Sequence, residues 1–270
     1  MDDYYYFTKP NVVEVNAADV GISKDEWRSV PDQSDKSSNL ALKLMKKYNF
    51  DIIPIDSNEG TISNFYKTKN WGGFDDNEIS EIDENCTIHF RTPIDHVVSK
   101  MERLGVQYFL LSNSEDRIVG LITSSNLNCR GFGTLLFNHI IGFETAMTQF
   151  IESEISEDEI ESYAMGKKDL GKKIDDAKKA NAELPTIQLL SLSDLIGLFE
   201  KSGCWKSLGF ESKSKCHKMT QKVIELRNDV AHLGTGKTVV NPKRPVPMLW
   251  KTMRDLKKYT IDLQRLTMGD

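Results

Sequence analysis

Two stretches of this chain, Ser37–Trp71 and Pro93–Leu127, align without a gap at a fixed offset of 56 positions. No other feature constrains the fold as much, because a repeat of this length is one supersecondary unit used twice. LALKLMKKYNFDIIPI lies over HVVSKMERLGVQYFLL, which puts Met45 over Met101, Ile53 over Phe109 and Ile55 over Leu111. In the second copy Ile94, Val97, Val98, Met101 and Leu104 follow helical spacing and make one apolar stripe. Val106 to Leu111 then reads as a buried strand, Ser112 to Asp116 as a polar turn and Arg117 to Ile122 as a second strand. The first copy repeats the order with a helix carrying Leu40, Leu44, Met45 and Tyr48, a strand over Ile52–Ile55, a turn over Asp56–Gly60 and a strand over Thr61–Tyr66. Neither copy alone can cover its own sheet, so the two are expected to pack together.

The period changes after Gly131. Leu135, Leu136, Ile140, Phe143, Met147 and Phe150 recur three to four apart, as an amphipathic helix requires. A charged stretch follows, with Gly166 and Gly171 as points where a helix would break. Helices are further expected over Ile187–Phe199, Lys215–Ala231 and Met248–Leu266, with a proline-rich loop over Asn241–Pro247. The fold class is therefore α+β: tandem α/β repeats over residues 1–130, then an all-α bundle of four or five helices over 131–270.

Charge divides along the same line. The net charge is −5, yet residues 201–270 hold 15 Lys and Arg against 6 Asp and Glu. A basic segment on an acidic chain is the footprint of a phosphate-rich partner such as RNA. No run of about 18 apolar residues offers a membrane span. The acidic, aromatic start MDDYYYFTKP is unlike a secretory signal. Cys86, Cys129, Cys204 and Cys216 are scattered without a CxxC pair, which suits a reducing, cytoplasmic setting.

The repeat resembles the CBS-domain pair, or Bateman module, over about residues 10–130. The segment Gly120-Leu121-Ile122-Thr123-Ser124-Ser125-Asn126-Leu127 carries the resemblance. It matches that family's ending of glycine, apolar pair, Ser or Thr, two variable positions, Asp and an apolar residue, with Asn126 in the place of Asp. The resemblance implies an adenine nucleotide as regulatory ligand, with the hydroxyl meeting phosphate and the acidic position holding ribose hydroxyls. Asn126 can accept from a ribose hydroxyl, but more weakly than a carboxylate. The offset puts Lys67 where Thr123 stands and Asn70 where Asn126 stands; Lys67 either supplies a cation to a phosphate or marks a lost site. One nucleotide site is thus expected, lined by Thr92, Thr123 and Asn126, with Arg91 as a phosphate contact.

In the helical half, Lys222-Val-Ile-Glu-Leu-Arg227-Asn228-Asp229-Val230-Ala231-His232 resembles the signature of HEPN domains: Arg, a polar residue, three variable positions and His at a helix end. That resemblance covers about residues 132–267. It implies a metal-independent ribonuclease acting as a homodimer or higher assembly, a role suited to a toxin or stress effector. The residues support such chemistry themselves. RNA carries its own nucleophile, the 2′-OH; His232 can take or give a proton near neutrality, and Arg227 offers a permanently charged fork to the phosphate. Asn228, four residues before His232, would orient the imidazole. A straight helix would separate Arg227 from His232 by about 140°, so either the helix ends before His232, as Gly234 and Gly236 suggest, or the working pair forms across a dimer. Lys237, Lys243 and Arg244 are the expected RNA phosphate contacts. The rival reading is a non-catalytic nucleotide-sensing regulator whose helical half binds RNA or a protein.

Two further patterns are decoys. Ala231-His-Leu-Gly-Thr-Gly-Lys-Thr238 satisfies a loosened P-loop pattern, which works only between a strand and a helix. Cys204, Cys216, His217 and His232 match no familiar zinc spacing. His89, His96 and His139 read as structural or surface residues.

Overall fold

The computed structural model describes residues 14–56, 62–70, 73–179 and 185–269. Two compact units emerge. One is Val13–Phe132 together with Val240–Trp250, and the other contains Gly133–Val239 and Lys251–Asp270. The boundary expected at residues 130 and 131 leaves Val240–Trp250 in the helical half, whereas the structure assigns that segment to the repeat unit.

The repeat unit begins with α1 (Ala17–Val20) and β1 (Ile22–Ser23). The first copy supplies α2 (Asp35–Tyr48), β2 (Ile52–Ile55), β3 (Asn64–Asn70) and β4 (Gly73–Glu81). The second supplies β5 (Thr87–His89), α3 (Ile94–Leu104), β6 (Tyr108–Ser112) and β7 (Ile118–Thr123), then a 3-10 turn over Ser124–Asn128. The turn expected over Asp56–Gly60 lies, apart from Asp56, outside the described residues.

The offset of 56 has structural content. Met45, Met101, Ile53 and Phe109 are all at most 1% exposed, so equivalent positions fill equivalent core sites. Helix α2 stops at Asn49 (φ 56°) and α3 at Gly105 (φ 66°), a left-handed cap that recurs 56 positions on. Such a cap ends a helix by turning the chain where glycine or asparagine tolerates it. The equivalence also reaches upstream of Ser37. Val30 bridges Ile55 in parallel just as β5 runs parallel to β6, so each copy has a lead-in segment beside its first buried strand.

The copies form two sheets, β2-β3-β4 and β1-β7-β6-β5. The N-terminal β1 thus joins the second copy, antiparallel to β7, with Ile22 opposite Leu121. Gly120 is needed here: a Cβ at that position would lie 2.6 Å from the Ile22 carbonyl oxygen. Between the copies, Ile52 and Phe65 of the first share a core cluster with Leu110 and Leu121 of the second. Met45, Ile53 and Tyr66 form a separate cluster under α2.

The helical unit continues α4 (Arg130–Glu154) and contains α5 (Glu157–Met165), α6 (Lys168–Lys179), α7 (Leu192–Ser202), α8 (Lys213–Ala231) and most of α9 (Val246–Met268). Six helices, rather than four or five, are present among the described residues because the charged stretch breaks at Gly166 into α5 and α6; Gly171 sits inside α6. The segment expected as one helix over Ile187–Phe199 is a 3-10 turn (Thr186–Leu189) followed by α7, which restarts at Ser191. There Ser191 accepts from the Asp194 amide and Asp194 accepts from the Ser191 amide, the reciprocal cap that begins a new helix. Pro247 lies in the first turn of α9, where a missing N–H has no helical partner to lose. Among the described residues, no helix is long and apolar enough to cross a membrane.

Candidate functional site

Helix α8 buries Cys216, Thr220, Val223, Leu226 and Val230. That spacing of three to four turns one stripe inward and leaves Arg227 and Asn228 exposed beside it. The helix ends at Ala231. His232 leaves it at φ −111° and ψ 16°, and Gly234 (φ 90°) and Gly236 (φ 91°) carry the chain through left-handed backbone that glycine permits. Of the two alternatives for Arg227 and His232, the early helix end is therefore the one observed within a single chain. The His232 carbonyl accepts from the Thr235 amide at 3.0 Å and from Thr235 Oγ1 at 2.7 Å, which pins the His232 backbone while its side chain stays exposed.

Asn228 takes a different partner from the one its spacing suggests. Its Oδ1 accepts from Arg227 Nη1 at 3.3 Å, and it makes no hydrogen bond to His232 among the described residues. The four-residue stacking that would have joined Asn228 to the imidazole fails because the helix stops first. What Asn228 holds is the guanidinium. Glu144, on α4, was not legible as a site residue. Burial pushes its carboxyl above the ordinary range and the Arg227 charge pulls it partly back, which places an acid within electrostatic reach of the motif. Helix α4 also passes close to the motif's end, since a Cβ on Gly133 would come within 2.3 Å of Leu233 Cδ1.

The candidate nucleotide residues sit at two ends of one sheet. Thr123 pairs with Tyr108 at the start of β6, whereas His89, two residues before Arg91, pairs with Ser112 at its end. About 13 Å of strand lies between those levels, so the register joins Thr123 with Asn126 and leaves Arg91 and Thr92 apart from them. Asn126 Oδ1 accepts both the Thr123 amide (2.7 Å) and Thr123 Oγ1 (2.9 Å). The amide oxygen expected to receive a ribose hydroxyl is thus already occupied, and Nδ2 is the atom of Asn126 left to meet a ligand. Arg91 is exposed, with its guanidinium 5.3 Å from the centre of the Phe90 ring. The Thr92 carbonyl accepts from the Ala17 amide at 2.9 Å. In the first copy Lys67 is held by Glu78 at 3.2 Å, and Asn70 pairs with Gly73 across a hairpin, so neither repeats the arrangement of Thr123 and Asn126.

Of the expected RNA contacts, Lys237 and Lys243 are exposed, but Arg244 is only 8% exposed. Arg244 belongs to a turn in which its amide donates to Asn241 Oδ1 at 3.0 Å, and that turn forms part of the repeat unit. The P-loop pattern follows a helix rather than a strand and runs into this turn, so it lacks the framework of a nucleotide-binding loop. The four cysteines are free thiols. Burial, with Glu200 adding to it, pushes the Cys216 thiol up to about 12. His217 Nδ1 lies 3.0 Å from Glu200 Oε1, a link between α7 and α8. Among the described residues, no three His, Cys, Asp or Glu side chains converge as metal ligands.

No protein-family model matches the chain, and no curated protein does. Among solved structures, it is similar to the CBS domain pair of protein MJ0100 in complex with 5′-methylthioadenosine and S-adenosyl-L-methionine. The likeness has 19% identity and a TM-score of 0.33, over 42% of this chain and 96% of that one. It is also similar to an uncharacterized conserved protein from Pyrococcus horikoshii, at 16% identity and a TM-score of 0.33, over 44% of this chain and 92% of that one.

Proposed function

We propose that this chain is a metal-independent endoribonuclease gated by an adenine nucleotide bound at its repeat pair, acting in the cytoplasm as a homodimer or higher assembly. The observation that carries the reading is the end of α8, where Arg227 and His232 are both exposed and the helix breaks immediately before the histidine. In the reaction, His232 takes the proton of a ribose 2′-OH, and the 2′-oxygen bonds to the neighbouring phosphorus. The bond from phosphorus to the 5′-oxygen breaks, and that oxygen leaves with a proton returned by the imidazole. Arg227, steadied by Asn228, faces the charge gathering on the phosphoryl oxygens. Lys237 and Lys243 supply exposed cations for the flanking backbone. The nucleotide part rests on the resemblance carried by Gly120–Leu127 and on Thr123 and Asn126 sharing one turn.

The test is cleavage of a labelled RNA by purified wild-type protein and His232→Ala, in EDTA, with and without ATP or AMP. The reading requires cleavage that survives EDTA, leaves 2′,3′-cyclic phosphate and 5′-hydroxyl ends, and falls by at least about a hundredfold in the variant, the usual scale of a lost general acid or base. RNA that is bound in a salt-sensitive manner but never cut would establish the non-catalytic regulator instead.

A further inference from the structure

Asn128 grips a peptide 112 residues away in the chain. Its Nδ2 donates to the Val240 carbonyl at 3.1 Å, and its Oδ1 accepts the Val240 amide at 2.9 Å. One side-chain amide thus satisfies both hydrogen-bonding groups of one residue, as a neighbouring strand would. Asn128 is also the last residue of the 3-10 turn that Thr123 and Asn126 open. Within six residues, the same turn carries the two candidate ligand contacts and the clamp.

The far side of the clamp leads to the catalytic motif. Val240 follows His232 by eight residues, next to Val239, which is fully buried. On its other side, Asn241 closes a turn with Arg244 through amide–carbonyl bonds in both directions, at 2.9 and 3.2 Å. Between His232 and Val239, the bonds from Thr235 to the His232 carbonyl and the bridge between Leu233 and Lys237 tie the segment together.

From this geometry we infer that Asn128 is a positioning residue that transmits occupancy of the Thr123–Asn126 turn to the segment holding His232. The inference rests on the function proposed above and names how its regulation reaches the site. A ligand group that bonds to Thr123 Oγ1 or Asn126 Oδ1 competes with the bonds these two make to each other, whereas one that meets only Asn126 Nδ2 leaves them in place. Any rearrangement of so short a turn moves Asn128, and Asn128 holds Val240 at two points. The ligand has leverage only through its preference for one arrangement of the turn.

The experiment uses the full chain as wild type, Asn128→Ala and the milder Asn128→Asp, which keeps an acceptor for the Val240 amide but loses the donor to its carbonyl. ATP and AMP are the probes. Binding is read by equilibrium dialysis, the response by RNA cleavage, and the segment itself by hydrogen exchange over residues 233–240. In the wild type, nucleotide changes both the cleavage rate and the exchange. In Asn128→Ala it still binds within about threefold, but its effect on cleavage shrinks by at least about fivefold, the low end of ordinary coupling between sites; Asn128→Asp falls between. An Asn128→Ala protein that keeps the full nucleotide response, or whose residues 233–240 respond as in the wild type, overturns the clamp and leaves the proposed function standing. Wild-type protein that neither binds these nucleotides nor cuts RNA overturns that function and the clamp with it.

Discussion

The two copies of the repeat share a helix, a buried strand and a left-handed cap, yet they end in opposite ways. In the second, β7 stops at Thr123 and turns at once into the 3-10 segment, because Asn126 folds back to accept the Thr123 amide and hydroxyl. In the first, the equivalent Lys67 lies mid-strand: β3 runs on to Asn70 and pairs with β4, a strand the second copy lacks. Lys67 and Lys69 each find an acid across the hairpin, Glu78 and Asp76. The buried face made by apolar periodicity is common to both, and the exit from the sheet is set by a few polar residues. A candidate ligand turn arises only where the chain is made to leave the strand.

The largest test of that equivalence lies in the shared core. Met45→Ala and Met101→Ala should each cost ~2–5 kcal/mol of stability, by loss of burial plus the cavity left behind. Chemical denaturation of the two variants checks this, and a several-fold disparity would break the idea that the copies are energetic equals. The next effect belongs to the difference. Gly120→Ala should cost ~1–3 kcal/mol because its Cβ would press on the Ile22 carbonyl. The equivalent Asn64→Ala, on a partly exposed strand start, should stay within about 0.5 kcal/mol. Similar losses in both would mean that β1 does not depend on the second copy's glycine.

The smallest effect concerns pH. Asp32, ahead of α2, accepts from Ser34 Oγ and Ser37 Oγ, each at 2.6 Å, and from the Ser34 amide at 2.9 Å; these bonds lower its pKa from an ordinary 3.8 to about 2. A depressed folded-state pKa stabilises above the unfolded value and is lost as pH falls through the folded one. The contribution is therefore complete above about pH 4 and fades toward pH 2. Ile88 faces Leu111 as Val30 faces Ile55, which puts the apolar Phe90 at the position equivalent to Asp32 in the second copy. Hydrogen exchange in α2 should therefore accelerate on acidification before exchange in α3. Equal acceleration would remove Asp32 as the cause.

Much of the fold was legible in the chain. Met45 with Met101, Ile53 with Phe109 and Ile55 with Leu111 are buried as the offset of 56 suggests, whereas Tyr48 and Leu104, stacked by the same offset, and Leu40 are exposed at the helix surface. Ile52–Ile55 is a strand with the bounds its run of apolar residues suggests, and α3 spans Ile94 to Leu104. The 3-10 turn after Thr123, β4 and the lead-in at Val30 were not legible. Short polar segments carry no period to read, and β4 is a half-exposed acidic strand that pairs with β3 at the sheet's edge among the described residues. At the candidate site, the residues Arg227, Asn228 and His232 could be named, and so could the glycines that end the helix between them. Their contacts could not. Asn228 holds Arg227, Glu144 stands within its field, and Arg244 is buried.

By itself, the amino-acid sequence determined where most of the apolar surface must be buried, roughly where helices run along the chain, and which unusual residues lie close in it. Those properties are local or periodic, and burial is indifferent to direction. Only the tertiary structure decided which partner each polar side chain takes. A hydrogen bond depends on placement to a few tenths of an ångström and on angle. For Asn128 and Val240, that placement joins residues that share no local pattern and stand 112 positions apart.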